Sequence, residues 1–124
     1  MNRNRFIVLL ILFVGFLSVL KAQDLKPPAN IAGNWTIFAE DIDHPGSSLK
    51  TIQITQNGNI ISGTFRGPHQ HGKFQGWVSG NHVEFSTDTH EILTFRGEIK
   101  PDRMSGLYGI NGRHAPWSAE RSAQ

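Results

Sequence analysis

"IQITQNGNIISGTF", residues 52–65, is the stretch that decides the fold. Ile52 and Ile54 alternate with polar residues before Asn57-Gly58-Asn59, and Ile61 and Phe65 resume the two-residue period after it. This is the pattern of two strands, each with one buried face, joined by a turn whose Gly and Asn supply positive φ. Working outward, the alternation continues in short runs. Strands are expected at residues 35–40, 49–56, 60–67, 73–79, 82–87, 92–100, 104–110 and 115–121. Gly80-Asn81 and Pro101-Asp102 read as further tight turns. Beyond residue 22 no stretch has the helical period. Strands joined in order by short links form a meander, and closure removes its exposed edges. The expected fold is all-β: an eight-stranded antiparallel up-and-down β-barrel.

By alternation, Ile37, Ile52, Ile54, Ile61, Phe65, Phe74, Val78, Val83, Phe85, Leu93, Phe95, Ile99, Met104, Tyr108, Ile110 and Trp117 face inward. That set either fills an eight-stranded barrel or lines a small pocket in it. Trp77 falls on the outer face, where Leu107 is also expected, and an outward Trp is a candidate anchor for an oligomer contact. Gly63, Gly76, Gly97 and Gly106 stand mid-strand, each followed by a bulky residue. In a curved sheet such glycines relieve crowding and let a neighbouring ring lie over the backbone. No helix follows any of them, which argues against a phosphate-cradling loop.

The chain opens with Arg3 and Arg5, runs uncharged over residues 6–20, and passes through Lys21-Ala22 into polar sequence. This reads as a secretory signal peptide at residues 1–22, with an apolar run shorter than the roughly 20 residues of a membrane span. Export to the periplasm or the extracellular space is expected, with no stable membrane anchor after cleavage. Residues 23–32 are then a Pro-containing lead-in, and residues 33–122 a single domain. Three of the 12 Lys and Arg leave with the signal, so the rest of the chain balances 12 − 3 = 9 against 10 Asp and Glu. No basic stripe remains to argue for nucleic acid. The absence of cysteine excludes disulfides, thiolate metal sites and a lipid anchor on Cys.

Gly33-Asn34-Trp35 at the start of the first strand, with Arg121 at the end of the last, resembles the Gly-x-Trp and C-terminal Arg pairing of the calycin superfamily. In an even-stranded meander the two lie at one rim, where Arg121 stacks on Trp35 and closes the barrel. Within the superfamily the lipocalin-like and avidin-like branch is nearest. "IAGNW", Ser47 or Ser48, "IQITQNGNIISGTF", "FQGWVSGNHVEF" and "LTFRGEI" are similar to the avidin run of strand motifs. The biotin residues do not match: Ile37, Phe65 and Gly67 stand where avidins carry Asn, Tyr and Thr. Each replacement removes a hydrogen-bonding group, so no useful biotin affinity is expected.

The remaining signal is histidine. The links between strands 1 and 2, 3 and 4, 5 and 6, and 7 and 8 emerge at the rim opposite Trp35, and His44, His69, His71, His90 and His114 fall in them. Together with Tyr108 and Trp117 they are the expected ligand-binding residues of an open rim and pocket. His69 and His71, one residue apart, would point the same way if extended, and neutral imidazoles suit Zn, Cu or Ni. A third ligand from His44 or His90 would complete an open site. The competing readings are a solvated polar rim and a pH-sensitive mouth for an anion.

Three function classes follow. The first is an exported binding module for a small apolar or amphipathic ligand, with or without a metal. The second is a secreted inhibitor or protein-partner-binding barrel acting through its N-terminal arm or loops. The third, an enzyme, is disfavoured. The chain has no Cys and no Gly-x-Ser-x-Gly, and Asp88-Thr89-His90 has no special claim to acid–base geometry.

Overall fold

The computed structural model describes residues 25–43 and 45–122 of the chain. The expected signal peptide lies outside the described residues. The strands are β1 (Gly33–Glu40), β2 (Ser47–Asn57), β3 (Ile60–Arg66), β4 (His71–Ser79), β5 (His82–Asp88), β6 (Thr94–Lys100), β7 (Arg103–Ile110) and β8 (Arg113–Arg121). Each pairs antiparallel with the next, and β8 returns to β1 to close the barrel. Trp35 lies opposite Arg121 and Ile37 opposite Ala119 at the seam. The expected fold class is therefore what the chain adopts.

Side-chain alternation carries through. Of the residues expected inside, all are buried except Ile110, which is half-buried and packs against the core. The mid-strand glycines do what a curved wall requires. Phe65 lies opposite Gly72, Phe74 opposite Gly63, Phe85 opposite Gly76 and Trp117 opposite Gly106. A Cβ on Gly76 would drive into the Glu84 carbonyl oxygen and the Phe85 backbone, so the ring and the side chain cannot share that space. Inside, Phe95 stacks between Phe85 and Tyr108 at centroid distances of 4.7 and 5.3 Å, with Trp117 edge-on to Phe85 and Phe95. These tilted, stacked and T-shaped contacts are the geometries that aromatic quadrupoles favour.

One end of the barrel is sealed. Trp35 is fully buried and its Nε1 donates to the Ile31 carbonyl at 2.9 Å. The Arg121 guanidinium sits 4.5 Å from the Trp35 ring centroid and donates to the carbonyls of Asn30 and Ala32 at 3.0 Å each. This is the closure expected from the Gly-x-Trp and Arg pairing. The lead-in contributes more than its polar composition suggested. Residues 26–31 cross this rim, with Ala29 N donating to the Gly80 carbonyl, Asn59 Nδ2 to the Lys26 carbonyl, and Gln56 bonding both Ala29 and Ile31. Ile31 is fully buried there as a plug.

Candidate functional site

The opposite end is open. Residues 41–43, 67–70, 90, 91 and 93, from three links, line a cavity of about 1240 Å³ that reaches from the rim down to Phe65, Leu93 and Tyr108. Two of these links are tied together. The Gln70 side-chain amide donates to the Glu91 carbonyl at 3.1 Å and accepts from the Glu91 N–H at 3.0 Å. Within the third, Thr87 Oγ1 accepts from Leu93 N–H at 3.0 Å and Thr89 Oγ1 donates to the Glu91 carbonyl at 2.6 Å. Such reciprocal side-chain to backbone bonds hold irregular backbone in one arrangement. The mouth is thus a built rim.

Five histidines were expected around this mouth, and the structure separates them. His69 and His90 line the cavity, and both side chains are exposed. His44 lies outside the described residues. His71 and His114 belong to strands, on the outer face. The Gly67 N–H donates to the Gln70 carbonyl at 2.8 Å, which closes a four-residue turn and lets β4 begin at His71, opposite Arg66. Because that turn is not extended, the same-side argument for His69 and His71 fails. His71 instead borders a separate hollow of about 460 Å³ with Gln53, Thr64 and Arg66. At the seventh link, Asn111 and Gly112 take φ of 51° and 84°, the two-residue turn that Asn-Gly favours, so Arg113 and His114 are already in β8. Among the described residues no group of three or more His, Asp or Glu is placed to hold a metal ion.

Tyr108 borders the cavity as expected, with its hydroxyl donating to the Glu40 carbonyl at 2.6 Å. Burial, and then the negative charges of Asp41, Asp43 and Glu40, raise its pKa above the usual 10.0, so the phenol stays a donor. Trp117 is placed below, in the packed interior, where its Nε1 donates to the carbonyls of Arg96 and Leu107 at 3.1 Å each.

Sequence reasoning missed the most informative residue. Lys50 lies opposite Ile37 on the inward face of β2, is only 9% exposed and lines the cavity. Its ammonium donates to Ser48 Oγ at 2.6 Å. Burial lowers its pKa below 10.5, and the charge of nearby Asp41 partly offsets that. The signal was present, since Lys50, Ile52 and Ile54 share one parity in the opening alternation.

On the outer face, exposed Phe38 and Leu49 lie side by side across β1 and β2, and exposed Leu107 lies opposite Pro116. Trp77 is half-buried under the His82 ring, whose centroid is 5.4 Å away. Comparison with protein-family models and with curated proteins returns no match.

Proposed function

We propose that this chain is an exported binding module of calycin type, nearest the avidin- and lipocalin-like branch, which takes a small amphipathic molecule into the open end of its barrel. The observation that carries this reading is the cavity of about 1240 Å³, walled by Ile42, Phe65, Leu93 and Tyr108 and bearing one buried ammonium. Small-molecule pockets are mostly apolar concavities of roughly 300–1,000 Å³ with a few placed polar groups. A binding role needs no catalytic constellation, and none is proposed. The signal-like residues 1–22 support residence in the periplasm or outside the cell. The Gly-x-Trp and Arg121 closure supports the calycin reading, while Ile37, Phe65 and Gly67 exclude biotin as the ligand of choice.

The test is fluorescence titration of residues 23–124 with N-phenyl-1-naphthylamine, a neutral probe that brightens in apolar surroundings. Saturable binding of one probe per chain is expected, with loss of that binding in Ile42→Trp, which fills the mouth from a half-buried wall position. Absence of saturable binding, or full binding by Ile42→Trp, overturns the reading.

A second reading, protein-partner binding, draws on the adjacent exposed Phe38 and Leu49. The lead-in is a poor arm for such a role over residues 26–32, since it is held across the closed rim by the bonds described above.

A further inference from the structure

We infer that Lys50 is the anchoring cation of the cavity and that the ligand it selects is a monocarboxylate carried on a flat apolar body. This deepens the proposed binding role and rests on the cavity being a ligand site.

The argument starts from donors. A lysine ammonium has three N–H bonds. Among the described residues its one hydrogen bond is to Ser48 Oγ, and no ion pair joins it to a carboxylate. Two donors on a 9%-exposed cation therefore remain for whatever enters the cavity. A buried charge is costly unless it is paired and hydrogen-bonded, and a carboxylate does both with short, charge-assisted bonds.

The charge of the rim restricts the anion. Asp41, Asp43 and Glu91 line the same cavity, as does one further cation, the exposed Arg66 at the end of β3. Asp43 is engaged by Arg113, whereas Glu91 is exposed at the mouth. A phosphate dianion would bring two charges past three carboxylates to meet one buried lysine, with Arg66 held out at the rim, and a cationic ligand would be repelled by Lys50 at depth. One negative charge fits the pattern best. Shape restricts the body. Phe65 and Tyr108 border the cavity, and Phe95 lies against Tyr108 at 5.3 Å with an interplanar angle of 18°. Taken as the floor of the cavity, this stack suits a compact planar ring system better than a long chain.

The experiment is displacement of N-phenyl-1-naphthylamine from residues 23–124 at pH 7 by naphthalene-2-carboxylate, 2-naphthalenemethanol and 2-naphthylmethylammonium, with inorganic phosphate as a fourth competitor. The carboxylate should displace the probe at least about tenfold more tightly than the alcohol, and the ammonium and phosphate more weakly than either. Lys50→Met should bring acid and alcohol within about twofold while still binding the probe, and Lys50→Arg should keep the preference. Should Lys50→Met fail to fold, the acid-to-alcohol ratio of the unmodified protein decides alone. Equal binding of acid and alcohol overturns the assignment of Lys50 and leaves the cavity reading standing. Competition by phosphate equal to the carboxylate overturns the ligand class. Absence of probe binding overturns the cavity reading and this inference with it.

Discussion

At the closed rim the links 58–59, 80–81 and 101–102 are two residues each, and residues 26–31 lie across that end with their backbone bonded to Gln56, Asn59 and Gly80. At the open rim three links run to six, four and five residues, and the cavity opens between them. Both rims cap the same alternating strands. The difference is what each does with its polar groups. Closed-rim side chains such as Gln56, Asn59 and Arg121 satisfy backbone of the crossing segment, so Ile31 and Trp35 can be buried beneath them. Open-rim side chains such as Gln70 and Thr89 satisfy backbone within the links themselves and leave the interior, with Lys50 in it, open to the rim. The plug and its bonds lie at one end, and the proposed binding site lies at the other.

The most severe way to break this division is to attack the closed end. Trp35→Ala removes the largest fully buried side chain, its bond to Ile31 and the platform under Arg121. A loss of about 3–5 kcal/mol is expected by urea unfolding. Arg121→Ala should cost about 2 kcal/mol in the same assay, combining two charge-assisted bonds with a cation–π contact on a partly exposed side chain. The open end should respond in the opposite sense. Lys50→Met replaces a partly desolvated charge with an apolar chain of similar length, and a gain of about 1 kcal/mol in thermal or urea stability is expected at pH 7. A site residue whose removal stabilises the fold is one the fold does not need for itself.

Two smaller effects sharpen the contrast. His82, in the closed half, lies between Glu84 at 3.0 Å and Glu98 at 3.2 Å. Burial disfavours its charged form, but the hydrogen bonds and charges of the two carboxylates prevail and raise its pKa above 6.5. Folding therefore favours protonated His82. The added stability is full below about pH 6.5 and fades as pH rises through the folded value, within the roughly 0.2–1 kcal/mol of exposed ion pairs. Unfolding of the native protein and His82→Gln between pH 5.5 and 8 should show the native advantage shrinking with pH. At the open rim, His69→Ala with His90→Ala should change stability by no more than about 0.5 kcal/mol, since both side chains are exposed.

The barrel was legible because its signals are local and repeated: period-2 alternation, Asn and Gly at turns, and glycines opposite rings. The Trp35 and Arg121 closure was legible because meander topology places chain ends together. What escaped depended on tertiary partners or on turn geometry. Ile31 is buried only because Gln56 and Arg121 satisfy the Pro-containing backbone around it, and nothing local announces that. His71 and His114 read as link residues in the sequence, yet the turns at 67–70 and 111–112 are tighter than the polar composition around them implies. Lys50 obeys the alternation, but a charged side chain by itself does not signal an inward position. Its burial depends on Ser48 and on the open cavity, and neither is a property of the β2 sequence alone.

The most direct test of the division between the two ends is a ¹H–¹⁵N NMR titration of residues 23–124 with naphthalene-2-carboxylate. Amide shifts confined to residues 41–50, 67–70 and 90–93 and to Tyr108, with residues 26–32 and Gly80 unmoved, are the predicted result. Shifts centred on the closed rim, or on Phe38 and Leu107 of the outer wall, would contradict it.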